Sequence, residues 1–262
     1  MRKYSVEKPD HHKVACVEEI PGDPRGIAIA VHGFTSSKES PTVQLLLNKL
    51  PAAGIGVVGI DLPSHGVEAS YDEELRLSAC LESLACVEKE LVSRYPDQDI
   101  YYFGSSFGAY VTALYISTRP HKGRRAFFRS AAVNMPSLFL KDSYTEEDEQ
   151  LKKDLKEKGY FMQGFSLGRP VRITQGFMDD LAANDLFEKF DTDRFGPHKI
   201  AMAHGSEDPV IDPAAAARFS ARYGVEMTVF EGEGHSLCSD PATPEKVVGL
   251  AIALYLDPGR NL

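Results

Sequence analysis

The sequence is short of the features that mark redox, metal-stapled, membrane or nucleic-acid-binding proteins. Only four cysteines, Cys16, Cys80, Cys86 and Cys238, occur in 262 residues. None is spaced as CxxC, and no cysteine–histidine cluster has zinc-ligand spacing. The thiols are therefore read as free, and no metal site is expected. No apolar run approaches the roughly 18 residues that a membrane span needs. Met1-Arg-Lys-Tyr-Ser-Val-Glu-Lys-Pro9 is polar and lacks an apolar core, which speaks against a signal peptide and for a cytoplasmic protein. Positive charge is in deficit: 29 Lys and Arg against 38 Asp and Glu give a net charge of −9. That balance argues against a nucleic-acid groove or an anionic membrane surface as partner. There is no internal repeat and no low-complexity segment.

What is present fits one large α/β domain over residues 1–262. Hydrophobic residues make up 43% and charged residues 26%, ordinary values for a globular protein. Short apolar, β-rich runs alternate with longer helical patterns, as in βα units around a mostly parallel central sheet flanked by helices. Strands are expected at 12–18, 26–32, 56–61, 100–104, 126–133, 199–204 and 226–231. Ile27-Ala-Ile-Ala-Val31 is apolar at every position, as in a strand covered on both faces. Helices are expected at 40–53, 73–94, 106–118, 213–223 and 244–256. The βα rhythm breaks for about 60 residues after Val133, and this stretch is read as a small cap insertion at about 137–190. Within it, Thr145-Glu-Glu-Asp148 resembles a helix start and Gly159 a stop. Tyr160–Phe165 and Val171–Thr174 are expected to pair as a hairpin. Phe177–Leu181 and Leu186–Phe190 are expected to be short helices.

The chemistry concentrates in three places. Gly104-Ser105-Ser106-Phe107-Gly108 is a G-x-S-x-G pattern lying between an expected strand and an expected helix. A tight strand-to-helix turn of this kind strains the central residue and lifts its hydroxyl out, so Ser106 is the candidate nucleophile. Serine needs a base at neutral pH, and Gly234-His235 supplies one after the last strand. The carboxylate that would orient His235 should follow the preceding strand, where Glu207, Asp208 and Asp212 compete. Asp208, just beyond the strand, is preferred, with Asp212 in reserve and Glu207 read as solvated. Two backbone amides, of Phe34 in Ala30-Val-His-Gly-Phe-Thr35 and of Phe107, are the candidate oxyanion donors. His32 is read as bracing its loop. No organic cofactor is needed for this chemistry.

Taken in order, His32-Gly-Phe, Asp61-Leu-Pro-Ser-His-Gly66, the Ser106 turn, Gly205-Ser-Glu-Asp208 and Gly234-His235 resemble the α/β-hydrolase superfamily over nearly the whole chain. Within it, the loop at His32 and the Gly159-Tyr-Phe-Met, Phe177-Met-Asp-Asp and Asp185-Leu-Phe segments are similar to small bacterial cinnamoyl/feruloyl esterases. Those enzymes usually carry histidine and glutamine where this chain has Ser105 and Phe107. The resemblance implies a serine carboxylesterase acting on a small-molecule ester, with aromatic acyl esters as one substrate class, working as a monomer or homodimer. A serine peptidase or thioesterase would use the same three residues. A binding protein on a retired hydrolase scaffold is the reading from another class.

Overall fold

The computed structural model describes residues 1–68, 72–140, 145–164, 169–196 and 199–257. Its strands are β1 (Arg2–Glu7), β2 (Lys13–Glu19), β3 (Gly26–Val31), β4 (Ile55–Ile60), β5 (Asp99–Ser105), β6 (Gly123–Arg129), β7 (Tyr160–Gln163), β8 (Val171–Thr174), β9 (Ile200–Gly205) and β10 (Glu226–Phe230). Among the described residues eight of them form one sheet in the order β1-β2-β4-β3-β5-β6-β9-β10. Every pairing from β4 to β10 is parallel, and β2 runs antiparallel to both β1 and β4. β3 and β4 are buried at every position, as apolar strands sandwiched between helices must be.

The helices are α1 (Pro41–Lys49), α2 (Leu77–Arg94), α3 (Phe107–Thr118), α4 (Met135–Phe139), α5 (Glu146–Lys158), α6 (Gln175–Ala183), α7 (Leu186–Lys189), α8 (Thr192–Phe195), α9 (Pro213–Tyr223) and α10 (Thr243–Leu256). They cover the sheet on both faces. Ile27, Ile29 and Val31 of β3 belong to one apolar layer with buried residues of α2, α3 and α9. The alternate residues Ala28 and Ala30 pack with α1 and α10. This is the two-residue period of a strand sorting its side chains to two helical layers.

Several boundaries differ from expectation for identifiable reasons. The helix expected over 40–53 breaks at Leu50, because Pro51 has no amide to donate. A short 3-10 turn, Pro51–Ala53, follows and ends at Gly54 with φ 77. The helix expected from residue 73 begins at Leu77. The strand expected at 126–133 runs instead from Gly123 to Arg129, and Ser130, at φ 46, turns the chain. β1 was not expected at all: its alternating, largely polar residues form an edge strand, with Arg2 opposite Glu18.

Between β6 and β9 lie α4 to α8 and a separate hairpin of β7 and β8, with Tyr160 paired to Thr174 and Gln163 to Val171. The last residue of the first expected strand, 165, and residues 166–168 of its expected turn at 166–170 lie outside the described residues. Thr145 caps α5 and accepts from the Asp148 amide, while the Asp148 carboxylate accepts from the Thr145 amide. Gly159 ends the helix at φ 80. The two short helices expected here are α6 and α7. Asp180 of α6 fastens this segment to the body. Its carboxylate accepts from Arg76 Nε at 2.8 Å, Arg76 Nη2 at 2.7 Å and the Leu77 amide at 2.9 Å. Arg76, the residue before α2, offers no side-chain cap of its own, so Asp180 caps α2 from 103 residues away. Replacing Asp180 by Ala should cost about 1–2 kcal/mol in urea unfolding, with Asn, which keeps a capping oxygen, losing less. Equal stability of all three proteins would remove the fastening role.

Candidate active site

The geometry begins at the junction of β5 and α3. Ser106 holds φ 53 and ψ −115, a conformation that L-residues adopt rarely and at a cost. Close packing requires the flanking glycines. A Cβ on Gly104 would stand 2.4 Å from Ala109 Cα, and one on Gly108 would stand 2.2 Å from the Val31 carbonyl oxygen. The turn is pinned by the Ser106 amide donating to the Arg129 carbonyl at 2.9 Å.

His235, in the loop after β10, lies with Nε2 3.0 Å from Ser106 Oγ and Nδ1 2.8 Å from Asp208 Oδ2. The structure thus brings together the three side chains that the sequence separates by 129 and 27 positions. Asp208 is buried. Its Oδ1 accepts the amides of Val210 at 2.8 Å and Ile211 at 2.9 Å. Burial pushes its pKa up, but hydrogen bonds from His204, His235 and the Ile211 amide outweigh that and hold it well below the usual carboxylate range. The competing acids are engaged elsewhere or exposed. Asp212 caps α9 through the Ala214 amide at 2.9 Å, and Glu207 is exposed.

His204 is a member of this group that the sequence reading passed over. It is buried at the end of β9, and its Nε2 lies 3.2 Å from Asp208 Oδ2 and 3.2 Å from the Ile211 carbonyl. A carbonyl only accepts, so Nε2 carries the proton, and His204 donates towards the same carboxylate oxygen that holds His235. The signal was a histidine four residues before the acid at a strand end.

The opposite wall is the loop after β3. His32 is buried; its Nδ1 donates to the Gly33 carbonyl at 2.7 Å, and its Nε2 accepts from the Leu62 amide at 3.1 Å. Burial lowers its pKa to about 4, so it is neutral at pH 7. Because the peptide unit is planar and trans, fixing the Gly33 carbonyl on His32 also fixes the direction of the Phe34 amide. A Cβ on Gly33 would lie 3.9 Å from Ser106 Oγ, which places this loop against the nucleophile. Phe107 opens α3, where the helix itself provides no acceptor for the amide. The loop at 61–66 is tied in by a buried ion pair between Lys38 and Asp61, Nζ to Oδ2 at 2.7 Å.

Aromatic rings fill the space beside these loops. Phe34 meets Phe107 edge-on at 5.4 Å and Phe139 of α4 at 5.6 Å, and stacks at 6.3 Å on Phe177 of α6. His65 stands at 5.5 Å from Phe34 and 5.2 Å from His32. Residues of the segment between β6 and β9 therefore pack directly on the loop that presents the Phe34 amide. Elsewhere, Asp10, His12 and Glu73 bring potential metal-ligating atoms within 4.8 Å of one another. There the Lys8 ammonium bonds Glu73 and lies 3.8 Å from Asp10, so the chain supplies the counter-charge itself.

The fold has known counterparts. The sequence model of the alpha/beta hydrolase family matches residues 28–249, and the chain belongs to that family. Among solved structures it is similar to a putative hydrolase from Agrobacterium vitis, at 19% identity over 97% of each chain and a TM-score of 0.77. It is also similar to Est1E from Butyrivibrio proteoclasticus, at 17% identity over 97% of this chain and 98% of that one, with a TM-score of 0.72. The esterase domain of a Rhodothermus marinus protein is similar at 19% identity, over 97% and 98% of the two chains, with a TM-score of 0.70. No curated protein sequence matches the chain. Among the described residues no helix is long and apolar enough to cross a membrane.

The two buried histidines set a pH dependence of stability. Burial lowers His32 to about 4 and, with His32 beside it, His65 to about 3. An unfolded histidine titrates near 6.5, so below that value the unfolded chain binds protons that the folded one refuses. Their neutral-state stabilisation is complete above about pH 6.5 and is lost as pH falls towards 4, at about 1.4 kcal/mol per pH unit for each histidine. Urea unfolding of His65→Phe should show a shallower decline over that window than the parent. An unchanged slope would contradict the assignment.

Proposed function

We propose that the chain is a serine carboxylesterase that hydrolyses small esters through an acyl-enzyme. The observation that carries this reading is the alignment of Ser106 Oγ, His235 and Asp208 at 3.0 and 2.8 Å beside the loop of Phe34. Ser106 attacks the ester carbonyl as His235 Nε2 takes its proton. Asp208, kept ionised, holds the ring by Nδ1 and stabilises the imidazolium. The amides of Phe34 and Phe107 receive the developing oxyanion. His235 then returns the proton to the leaving alcohol, and water repeats the sequence on the acyl group.

We further read residues 137–190 as a cap over the acyl side of the site. Phe139 and Phe177 reach the Phe34 ring from this segment, giving an apolar, aromatic surround suited to a flat acyl group. Est1E has been solved with ferulic acid bound, which supports an aromatic acyl group for this chain as well.

Turnover of a p-nitrophenyl acyl series should fall by a factor on the order of 10⁴ or more in Ser106→Ala, and by about 10³–10⁴ in Asp208→Asn. Undiminished turnover in Ser106→Ala would refute the nucleophile. Methyl ferulate should be hydrolysed with a higher kcat/KM than methyl butyrate. The reverse order would remove the aromatic acyl reading and leave the ester chemistry standing.

A further inference from the structure

The working distance between Ser106 and His235 depends on two loops 129 residues apart in the chain. Catalytic groups must be held to roughly 0.5 Å, so something has to register these loops against each other. Their shared neighbour is the corner where β6 ends, at Arg129 and Ser130. The Arg129 carbonyl accepts the Ser106 amide, and its Nη1 donates to Ser105 Oγ at 2.8 Å. Its Nη2 donates to the Ser236 carbonyl, next to His235. Ser130 Oγ donates to the His235 carbonyl at 2.8 Å, and the Ser130 amide donates to Ala203, the neighbour of His204, at 2.8 Å. Two consecutive residues therefore touch the nucleophile turn, the histidine loop and the strand end that leads to Asp208.

Two features set this corner apart from ordinary packing. Ser130 sits at φ 46, a left-handed conformation that a side-chain-bearing residue adopts only at a cost. Among the described residues the Arg129 guanidinium forms no ion pair within 4.0 Å of a carboxylate; the acceptors above are neutral oxygens on two different loops. Burial lowers its pKa to about 10, so it stays charged at neutral pH. The planar guanidinium holds its two acceptors in a fixed relative geometry, which the rotatable ammonium of a lysine does not impose.

We propose that Arg129 and Ser130 are positioning residues that clamp the nucleophile turn to the histidine loop, with Ser105 as the clamp's acceptor on the nucleophile side. The proposal rests on the reading of Ser106, His235 and Asp208 given above. Serine at position 105 gains a purpose from it: its hydroxyl is the point at which the guanidinium grips the turn.

The test is the rate at which a fluorophosphonate labels the protein, measured beside the thermal midpoint. Arg129→Met should label about 10–100-fold more slowly than the parent, and Arg129→Lys should fall between them. Arg129→Ala should recover part of its rate in dilute guanidinium but not in matched urea or sodium chloride, a rescue that a purely structural arginine would not show. Adding Ser105→Ala to Arg129→Met should cost nothing further, because the two act as one unit. Labelling of Arg129→Met within about twofold of the parent overturns the clamp, as does a rate that tracks the thermal midpoint without guanidinium rescue. Should Arg129→Met not fold, Ser105→Ala and Ser130→Ala decide, each removing one bond with the arginine in place; slower labelling supports the clamp, and parental rates in both overturn it. A parent that does not label, or a Ser106→Ala variant that labels as fast, overturns instead the reading of Ser106, and the clamp falls with it.

Discussion

The arrangement depends on one constraint: a serine held at φ 53 where a buried strand meets a buried helix. Everything near it has to permit that turn. Gly104 and Gly108 are bare because Ala109 and Val31 occupy the space in which their side chains would lie. The helix that follows is buried almost all round, so it cannot shift to relax the turn without opening the core. Strain that a free peptide would shed is thereby retained, and the Ser106 hydroxyl is left facing His235.

Around that turn the polar groups form a graded set of supports. Asp208 is held by two backbone amides and a buried histidine as well as by His235. His32 plays the matching part on the other wall, tying the Gly33 carbonyl to the Leu62 amide. Both supporting histidines are buried, and each donates the proton its contacts require. The rings of Phe34, Phe107, Phe139 and Phe177 pack beside this polar set, and beside apolar surroundings electrostatic contacts carry more weight than in water.

The central elements were legible because their cues are local. A short, β-branched, all-apolar run such as Ile27–Val31 reads as a doubly covered strand, and Thr145 with Asp148 and Gly159 marks both ends of α5 within its own sequence. The three candidate catalytic side chains were legible through chain order and turn residues, and the structure places them within hydrogen-bonding reach. What escaped depends on partners distant in sequence. β1 is polar and gains its strand character only from pairing with β2. His204 acquires its role from the fold of the Asp208 loop, and Arg129 from two loops 24 and 107 residues away. The meeting of Phe34 with Phe139 and Phe177 likewise has no signature in a single segment.

In the proposed mechanism Ser106 is the nucleophile and the amides of Phe34 and Phe107 face the oxyanion it creates. A crystal structure of the protein after reaction with a fluorophosphonate tests both parts at once. Phosphorus should be bonded to Ser106 Oγ, with the phosphonyl oxygen about 2.7–3.1 Å from both amides. An adduct on another residue, or a phosphonyl oxygen turned to solvent, would contradict it.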